Sequence, residues 1–360
     1  MGYMSHAIEL ARLAAGNTNP NPPVGAVIVK NGEVIGEGFT QPAGDSHAEI
    51  VALKQAGSSS RGAALYSTLE PCNHQGRTPP CSQAIIDAGI IEVHAAMLDP
   101  NPNVVGGGMK QFDNAGLRTI LGESEGRVRK LLEAYVKFVK TGLPFVTAKF
   151  AMSLDGKIAT RSGDSQWISG DKARRHVHRL RKSSDAIMVG INTVLMDDPY
   201  LTARDKAGVP LPSQPLRIVV DSKCRLPIGS RIMAPPGEVV LATSQEENSE
   251  GDNIANSEVE KIVLPNENGQ VDLDRLMSYL AKNKKITSLL VEGGSTLLGS
   301  MFDNGLIDKV IAFVSPIIIG GTDAPTPVSG LGFERLQDSL QLNRIRWEKY
   351  GRDIAVIGYC

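Results

Sequence analysis

Two successive α/β domains are what this 360-residue sequence predicts. Three observations carry the prediction. Helical and strand periodicities alternate along most of the chain. The stretch KTGLPF, residues 140–145, breaks the alternation with Gly142 and Pro144. Hydrophobic residues make up 41% of the total, enough for two cores. The boundary is placed there, giving domains over 1–143 and 144–360.

The elements of the first domain follow in order. Residues 4–15 read as a helix with Ala7, Ile8 and Ala11 on one face. VGAVIVKNGEVIGEG is two strands around Asn31-Gly32, a strong hairpin signal. HAEIVALKQAG is a helix ended by Gly57, AALYSTL a strand, CSQAIIDAG a helix ended by Gly89, and IIEVHAAM a strand. The glycines at 106–108 read as a plain turn capping a helix near 108–115. A strand at 117–121 and one long helix over 123–140 complete the set. This order predicts a mixed sheet with helices on both faces, a three-layer α/β/α arrangement.

In the second domain FVTAKFAMSLDGKIAT, residues 145–160, reads as a strand, and 171–182 as a helix. DAIMVG, PLRIVVD and EVVLAT are strands, 271–283 a helix, ITSLLVEGG a strand, 296–303 a helix, and DKVIAFVSP a strand. Stretches 205–215 and 244–257 read as surface loops.

Basic residues number 38 and acidic residues 39. That balance argues against nucleic acid as the main partner, since phosphate-backbone binding calls for a basic surface. No apolar run reaches the roughly 20 residues of a membrane span. The start of the chain lacks the pattern of a secretory signal. Four cysteines are too few for a disulfide framework, and their spacing suits metal or catalytic use in a reducing compartment. The expected location is the cytoplasm.

The chemistry starts with His47, Glu49, Cys72 and Cys81. One imidazole and two thiolates are a good zinc donor set, and three protein ligands leave a fourth position for water. Zinc lowers the pKa of such a water toward ~7. Glu49 is the proton shuttle, taking a proton from the water and returning it to the ring and the departing amine. Zinc nucleobase deaminases combine His-x-Glu with Pro-Cys-x-x-Cys. Here the second cysteine comes nine positions after the first, so NHQGRTPP must bulge out and return. Pro79 and Pro80 suit the start of the helix carrying Cys81. Positions two apart do not share a helix face. His47 therefore belongs at the very start of its helix, with Glu49 reaching back. The rival arrangement is a closed structural zinc with His74 as fourth ligand, which leaves Glu49 without a task.

The second domain contains neither Gly-x-Gly-x-x-Gly after a strand nor a Walker A motif. Its best phosphate cradle is LLVEGGSTLLGS, a strand, a glycine turn and a helix whose free N–H groups suit an anion. Two glycines at such a turn serve packing equally well.

TNPNPPVGAVIV, GEGFTQPAGDSHAE, TLEPCNHQGRTPPC and DPNPNVVGGG resemble the bacterial bifunctional riboflavin-biosynthesis deaminase/reductase family. The likeness continues with AMSLDGKIAT, GDSQWISG, DDPYLTAR and VEGGSTL, so it covers nearly the whole chain. It implies a cytidine-deaminase-like N-terminal domain that deaminates a diaminopyrimidinone bearing a ribosylamino 5′-phosphate. It also implies a dihydrofolate-reductase-like C-terminal domain that reduces the ribosyl group to ribityl with NADPH. By this resemblance His47, Cys72 and Cys81 bind zinc, Glu49 is the proton donor, and Asn21 and His74 contact substrate. Gly294, Ser295, Thr296, Leu297, Leu298, Gly299 and Ser300 hold the cofactor phosphates. Ala151, Trp167, Thr193, Asp197 and Ser222 line the rest of the cofactor groove. Ser165, Arg181, Leu201, Arg204 and Glu292 bind substrate. The resemblance, rather than the residues, selects NADPH over NADH, and it alone implies a homo-oligomer. Two departures stand out, Thr40 where family members usually carry His, and Ala26 where they often carry Cys.

Arg181 and Arg204 suit a sugar phosphate, because guanidinium donates in a fork. RRHVHRLRK, residues 174–182, can alternatively be a solvated helix. Hydride transfer to C1′ of the ribosylamine needs a protonated or hydrogen-bonded nitrogen. Lys149 and Asp155 are the candidate charges, although Lys149 can also be an edge-strand lysine. Cys224 reads as an inert thiol. Two rival functions compete: a zinc deaminase of nucleosides or nucleic acid with an unrelated C-terminal domain, and a zinc-stabilised binding module without turnover.

Overall fold

The computed structural model describes residues 2–74, 79–102, 104–246 and 259–360. The centre of the Cys72–Cys81 bulge at 75–78, Asn103, and most of the loop expected at 244–257 lie outside the described residues. The chain divides into two compact units, Met1–Leu143 and Pro144–Cys360.

The N-terminal unit runs α1 (Tyr3–Ala14), β1 (Gly25–Lys30), β2 (Glu33–Phe39), α2 (Ala48–Ala56), β3 (Ala64–Ser67), α3 (Cys81–Asp87), β4 (Glu92–Ala95), α4 (Gly107–Asn114), β5 (Arg118–Leu121), α5 (Glu125–Leu131) and α6 (Glu133–Thr141). Asn31 and Gly32 both take positive φ, so the turn has the twist a two-residue hairpin requires. The sheet order is β2-β1-β3-β4-β5. β1 is antiparallel to β2 and β3, while β3, β4 and β5 are parallel.

Glycines on this sheet show how closely helices lie against it. A Cβ on Gly25 would fall 2.0 Å from the Ala7 carbonyl oxygen of α1. A Cβ on Gly38 would fall 2.4 Å from the Ala48 carbonyl oxygen of α2. Gly38 pairs with Ala26, the neighbour of Gly25, so the two glycines point to opposite faces. Helices α1 and α2 therefore cover opposite faces, and the unit has three layers. The expected single helix over 123–140 is instead two, α5 and α6, separated at Leu132. The hydrophobic stripe continues across the break, which is why periodicity alone did not show it.

The C-terminal unit runs β6 (Phe145–Ser153), α7 (Asp171–Lys182), β7 (Ala186–Gly190), α8 (Ile191–Asp197), β8 (Leu216–Val220), β9 (Val239–Thr243), β10 (Glu260–Val263), α9 (Leu273–Asn283), β11 (Ser288–Val291), α10 (Ser295–Asp303), β12 (Lys309–Ser315), β13 (Asn343–Tyr350) and β14 (Asp353–Tyr359). Its sheet order is β10-β9-β8-β7-β11-β6-β12-β14-β13. The strands from β10 to β12 are parallel, and β14 and β13 add an antiparallel edge.

Several expectations need correction. The strand expected over 145–160 ends at Ser153, where Gly156 takes φ 78° in a turn. The sequence reading missed α8, β10, β13 and β14. Strand β13 is largely exposed and mixes charged residues with apolar ones, so it lacks a buried-strand signature. Lys149 is not on an edge, since β6 sits between β11 and β12.

Candidate functional site

In the N-terminal unit, His47, Cys72 and Cys81 offer donor atoms that all lie within 4.8 Å of one another. His47 Nδ1 is 3.2 Å from Cys81 Sγ and 3.6 Å from Cys72 Sγ. Nitrogen and sulfur ligands around one tetrahedral zinc stand about 3.6 Å apart, given ordinary bond lengths. The donor set therefore fits zinc. His74 sits exposed on the same loop and does not join the group, so the closed four-ligand arrangement is not formed.

Local structure explains the convergence. His47 is the N-cap of α2, in extended conformation, and Glu49 lies in the first helical turn. This places the two side chains together despite their two-residue spacing. Cys81 opens α3 directly after Pro80. Its backbone N–H donates to Cys72 Sγ at 3.4 Å. Hydrogen bonding to Cys81 and to the His47 ring brings the Cys72 thiol down to about 4. The same sulfur–sulfur hydrogen bond, with burial, pushes Cys81 up, so this pair shares one proton that a metal would displace.

Glu49 is buried, and its Oε1 accepts from Ser67 Oγ at 3.1 Å. Burial raises its carboxyl above the usual range, more than His47 lowers it. A carboxyl whose proton affinity is raised above the ordinary range is better suited to take and return a proton. Thr40, the departure from the family pattern, is buried. Its hydroxyl oxygen accepts the Val24 N–H at 3.0 Å, so this side chain serves the sheet. Asn21 lies in the turn where Thr18 Oγ1 donates to the Asn21 carbonyl at 2.9 Å.

Sequence reasoning missed Glu70. Its carboxylate is 2% exposed and accepts four backbone N–H groups, from Asp99, Gly106, Gly108 and Met109, at 2.9–3.1 Å. The glycine run is thus more than a plain turn. A Cβ on Gly107 would meet Asn73 Nδ2 at 2.1 Å, and one on Gly108 would meet the Pro71 carbonyl oxygen at 2.1 Å. The glycines let this segment press against the Cys72 loop. The available signal was an acidic residue directly before Pro-Cys.

In the C-terminal unit Glu292 gathers two of the expected residues. Its buried carboxylate meets Arg181 Nε at 2.6 Å and Nη2 at 3.0 Å, and Lys149 Nζ at 3.2 Å. Burial alone would raise this carboxyl; Arg181 and Lys149 together override that and hold it at about 2. Arg181 is therefore not part of a solvated face. Its Nη1 donates to the Thr202 carbonyl, and Arg204 Nε donates to Thr202 Oγ1, so both guanidiniums converge on one residue. Asp155 does not join them. It accepts from Ser153 Oγ and from the backbone N–H groups of Ile319 and Gly320, which hold its carboxyl down at about 2.

A cleft of about 830 Å³ in the same unit is lined by residues that include Ser165, Thr193, Asp197, Ser222, Gly294, Ser295, Thr296, Leu297 and Ser300, but not by Glu292, Arg181 or Lys149. Ser165 was expected at the substrate, yet its Oγ donates to Asp197 Oδ1 at 2.8 Å within this lining. Leu298 and Gly299 are not in the lining. Leu298 is buried, and Gly299 gives α10 its close approach to the Ser329 carbonyl oxygen. Leu201 buries its side chain in the core and has φ 50°, so only its backbone can face a ligand. Ala151 and Trp167 also lie outside the lining; Trp167 is exposed and stacks under the Arg174 guanidinium at 4.6 Å.

Comparison with known proteins agrees with both units. Residues 144–356 match the family described as RibD C-terminal domain, and residues 2–97 match the cytidine and deoxycytidylate deaminase zinc-binding region. The riboflavin biosynthesis protein RibD of Escherichia coli (strain K12) is 40% identical, covering 98% of this chain and 97% of that protein. That of Aquifex aeolicus (strain VF5) is 38% identical, covering 98% and 96%. Among solved structures, Acinetobacter baumannii RibD, form 1, superimposes with TM-score 0.87 at 37% identity, covering 99% of this chain and 97% of that one. The Thermotoga maritima diaminohydroxyphosphoribosylaminopyrimidine deaminase/5-amino-6-(5-phosphoribosylamino)uracil reductase gives 0.86 at 37% identity, with the same coverage. The folds are accordingly cytidine-deaminase-like and dihydrofolate-reductase-like, and the chain belongs to the RibD family of bifunctional riboflavin biosynthesis proteins.

Proposed function

We propose that this protein carries out two consecutive steps of riboflavin biosynthesis. The first is hydrolytic deamination of a diaminopyrimidinone carrying a ribosylamino 5′-phosphate; the second is reduction of the ribosyl group to ribityl. The observation that carries the reading is the three-donor cluster of His47, Cys72 and Cys81 beside the buried carboxyl of Glu49. A binding module would have no use for that carboxyl.

Bound zinc would supply a water activated for attack on the ring carbon that bears the amine. Glu49 takes a proton at its carboxylate and returns protons to the ring nitrogen and the leaving amine, which departs as ammonia. Asn21 and His74 are assigned to substrate contact. In the C-terminal unit NADPH would supply the hydride. Arg181 and Arg204 are assigned to the substrate phosphate, with Glu292 fixing the Arg181 fork. Lys149 Nζ is assigned to the ribosylamine nitrogen, whose hydrogen bonding makes C1′ electrophilic. The 294–300 segment, with Ala151, Trp167, Thr193, Asp197 and Ser222, is assigned to the cofactor, and Ser165 and Leu201 to the substrate boundary.

We further infer self-association and a cytoplasmic location. The C-terminal unit exposes Leu331, Phe333, Leu336, Ile345 and Trp347, apolar area that a second copy could cover. All four cysteines are free, as a thiolate metal site in a reducing compartment requires. No helix among the described residues is long and apolar enough to cross a membrane.

The test is to incubate zinc-loaded protein with the diaminopyrimidinone phosphate, with and without NADPH. Ammonia should appear in both mixtures, and cofactor oxidation only in the second. Ammonia from a nucleoside or nucleic acid, but not from this substrate, would overturn the reading.

A further inference from the structure

The loop after α8, residues 198–204, carries Leu201 and Arg204, both assigned above to the substrate. Its backbone is fixed along the second half. Arg204 bridges to Pro210, the Leu211 N–H donates to the Ala203 carbonyl at 3.0 Å, and the Ala203 N–H donates to Gln214 Oε1 at 2.7 Å. The fully buried Arg217 of β8 supports the first half. It reaches the Tyr200 carbonyl at 3.5 Å while donating to the carbonyls of Ala234 and Gly237 at 2.9 and 2.7 Å. The side chains then divide: Leu201 turns into the core, and Tyr200 stays 40% exposed.

The cations around this loop are unequally matched. Arg231 has Asp198, whose carboxylate it meets through Nε at 3.1 Å and through its backbone N–H at 2.8 Å. Arg181 has Glu292. Asp205, next to Arg204, turns its Oδ1 to the N–H groups of Ala207 and Val209. Arg204 is left without an ion pair among the described residues. Its Nε donates to Thr202 Oγ1 at 3.0 Å and its Nη1 to the Gly208 carbonyl at 3.3 Å, while Nη2 makes no bond there. The Tyr200 ring is what steadies this guanidinium. Arg204 Cζ lies 5.3 Å from the ring centroid, within reach of cation–π attraction. An aromatic face holds a cation without accepting its N–H groups and without cancelling its charge. A carboxylate in the same place would do both and would repel a phosphate.

Resting on the reading that Arg204 meets the substrate phosphate, we propose that Tyr200 is a positioning residue of the reductase step, holding the Arg204 guanidinium for that phosphate. The ring leaves Arg204 fully charged with its Nη2 edge open, and a phosphate monoester takes such an edge in charge-assisted hydrogen bonds. Arg217 acts one layer further in, by carrying the backbone from which the ring projects.

The experiment is steady-state NADPH oxidation by the full-length, zinc-loaded protein, with the deamination product as the varied substrate. Tyr200→Leu keeps apolar bulk and removes the π face. Its KM for the deamination product should rise about fivefold, with kcat within about twofold of wild type and the KM for NADPH unchanged. Tyr200→Phe keeps the ring and should restore the wild-type KM. Arg204→Ala should raise the same KM further, and Tyr200→Leu/Arg204→Ala should be no worse than Arg204→Ala alone, because the ring acts only through that guanidinium. Wild-type KM in Tyr200→Leu, beside a raised KM in Arg204→Ala, overturns the role of Tyr200 and leaves the phosphate assignment standing. Tyr200→Phe as impaired as Tyr200→Leu, or additive penalties in the double variant, overturns it as well. Wild-type KM in Arg204→Ala removes the phosphate assignment and this inference together.

Discussion

Glu70 Oε1 accepts the Gly108 backbone N–H at 2.9 Å, and the same carboxylate holds three further N–H groups of the 99–109 segment. Glu70 also immediately precedes Pro71 and Cys72. One buried anion thus pins a whole loop against the one that carries a zinc donor. Glu70→Ala would leave these donors unpaired at a cost of about 3 kcal/mol or more. The expected result is a lower denaturant midpoint and weaker zinc affinity; an unchanged midpoint would dismiss the clamp. Gly108→Ala should act in the same direction, since its Cβ would strike the Pro71 carbonyl oxygen.

Glu49→Gln should keep zinc and lose ammonia release by about 10²–10⁴-fold, the usual weight of positioned proton transfer. Glu49 donates no atom to the metal-donor cluster, so metal content should stay at the wild-type ratio. Near-normal turnover would refute the shuttle role.

Removing zinc with a chelator should abolish ammonia release and leave NADPH binding intact, because the donors all belong to the N-terminal unit and the cleft proposed for the cofactor to the C-terminal unit. Adding zinc back should restore the first activity. Loss of NADPH binding on chelation would contradict this division.

Glu292 makes acid sensitivity predictable. Its carboxyl is held at about 2 in the folded protein, below its ordinary 4.5. A depressed acid stabilises fully above the ordinary value and loses that contribution as pH falls toward 2. The difference corresponds to about 3 kcal/mol. Glu292→Gln should flatten the loss of stability between about pH 4.5 and 2 relative to wild type. It should also destabilise at neutral pH by about 3 kcal/mol or more, since Lys149 and Arg181 lose their shared counter-charge. Parallel stability curves for the two proteins across this window would exclude the linkage.

Both units show what a linear pattern can reveal. The Asn31-Gly32 hairpin and the helix ends at Gly57, Gly89 and Gly142 are local events, set by φ preferences of neighbouring residues. Those were legible. Strand β13 was not, because its faces are decided by what covers them. The break at Leu132 was hidden in a continuous apolar stripe. The Glu70 clamp joins residues nearly forty positions apart, and nothing in a carboxylate's neighbours announces which distant N–H groups it will accept.

Residue order alone carried the donor chemistry: an imidazole, two thiols and a carboxyl at intervals that only folding through an N-cap and a helix start can gather. It also determined the two-unit order, because periodicity and chain breaks are local properties. That Arg181 and Lys149 share Glu292, and that Asp155 serves a loop, emerged from the folded arrangement. Those outcomes depend on burial and on which strands become neighbours, and strand order is set by packing free energy summed over the whole unit.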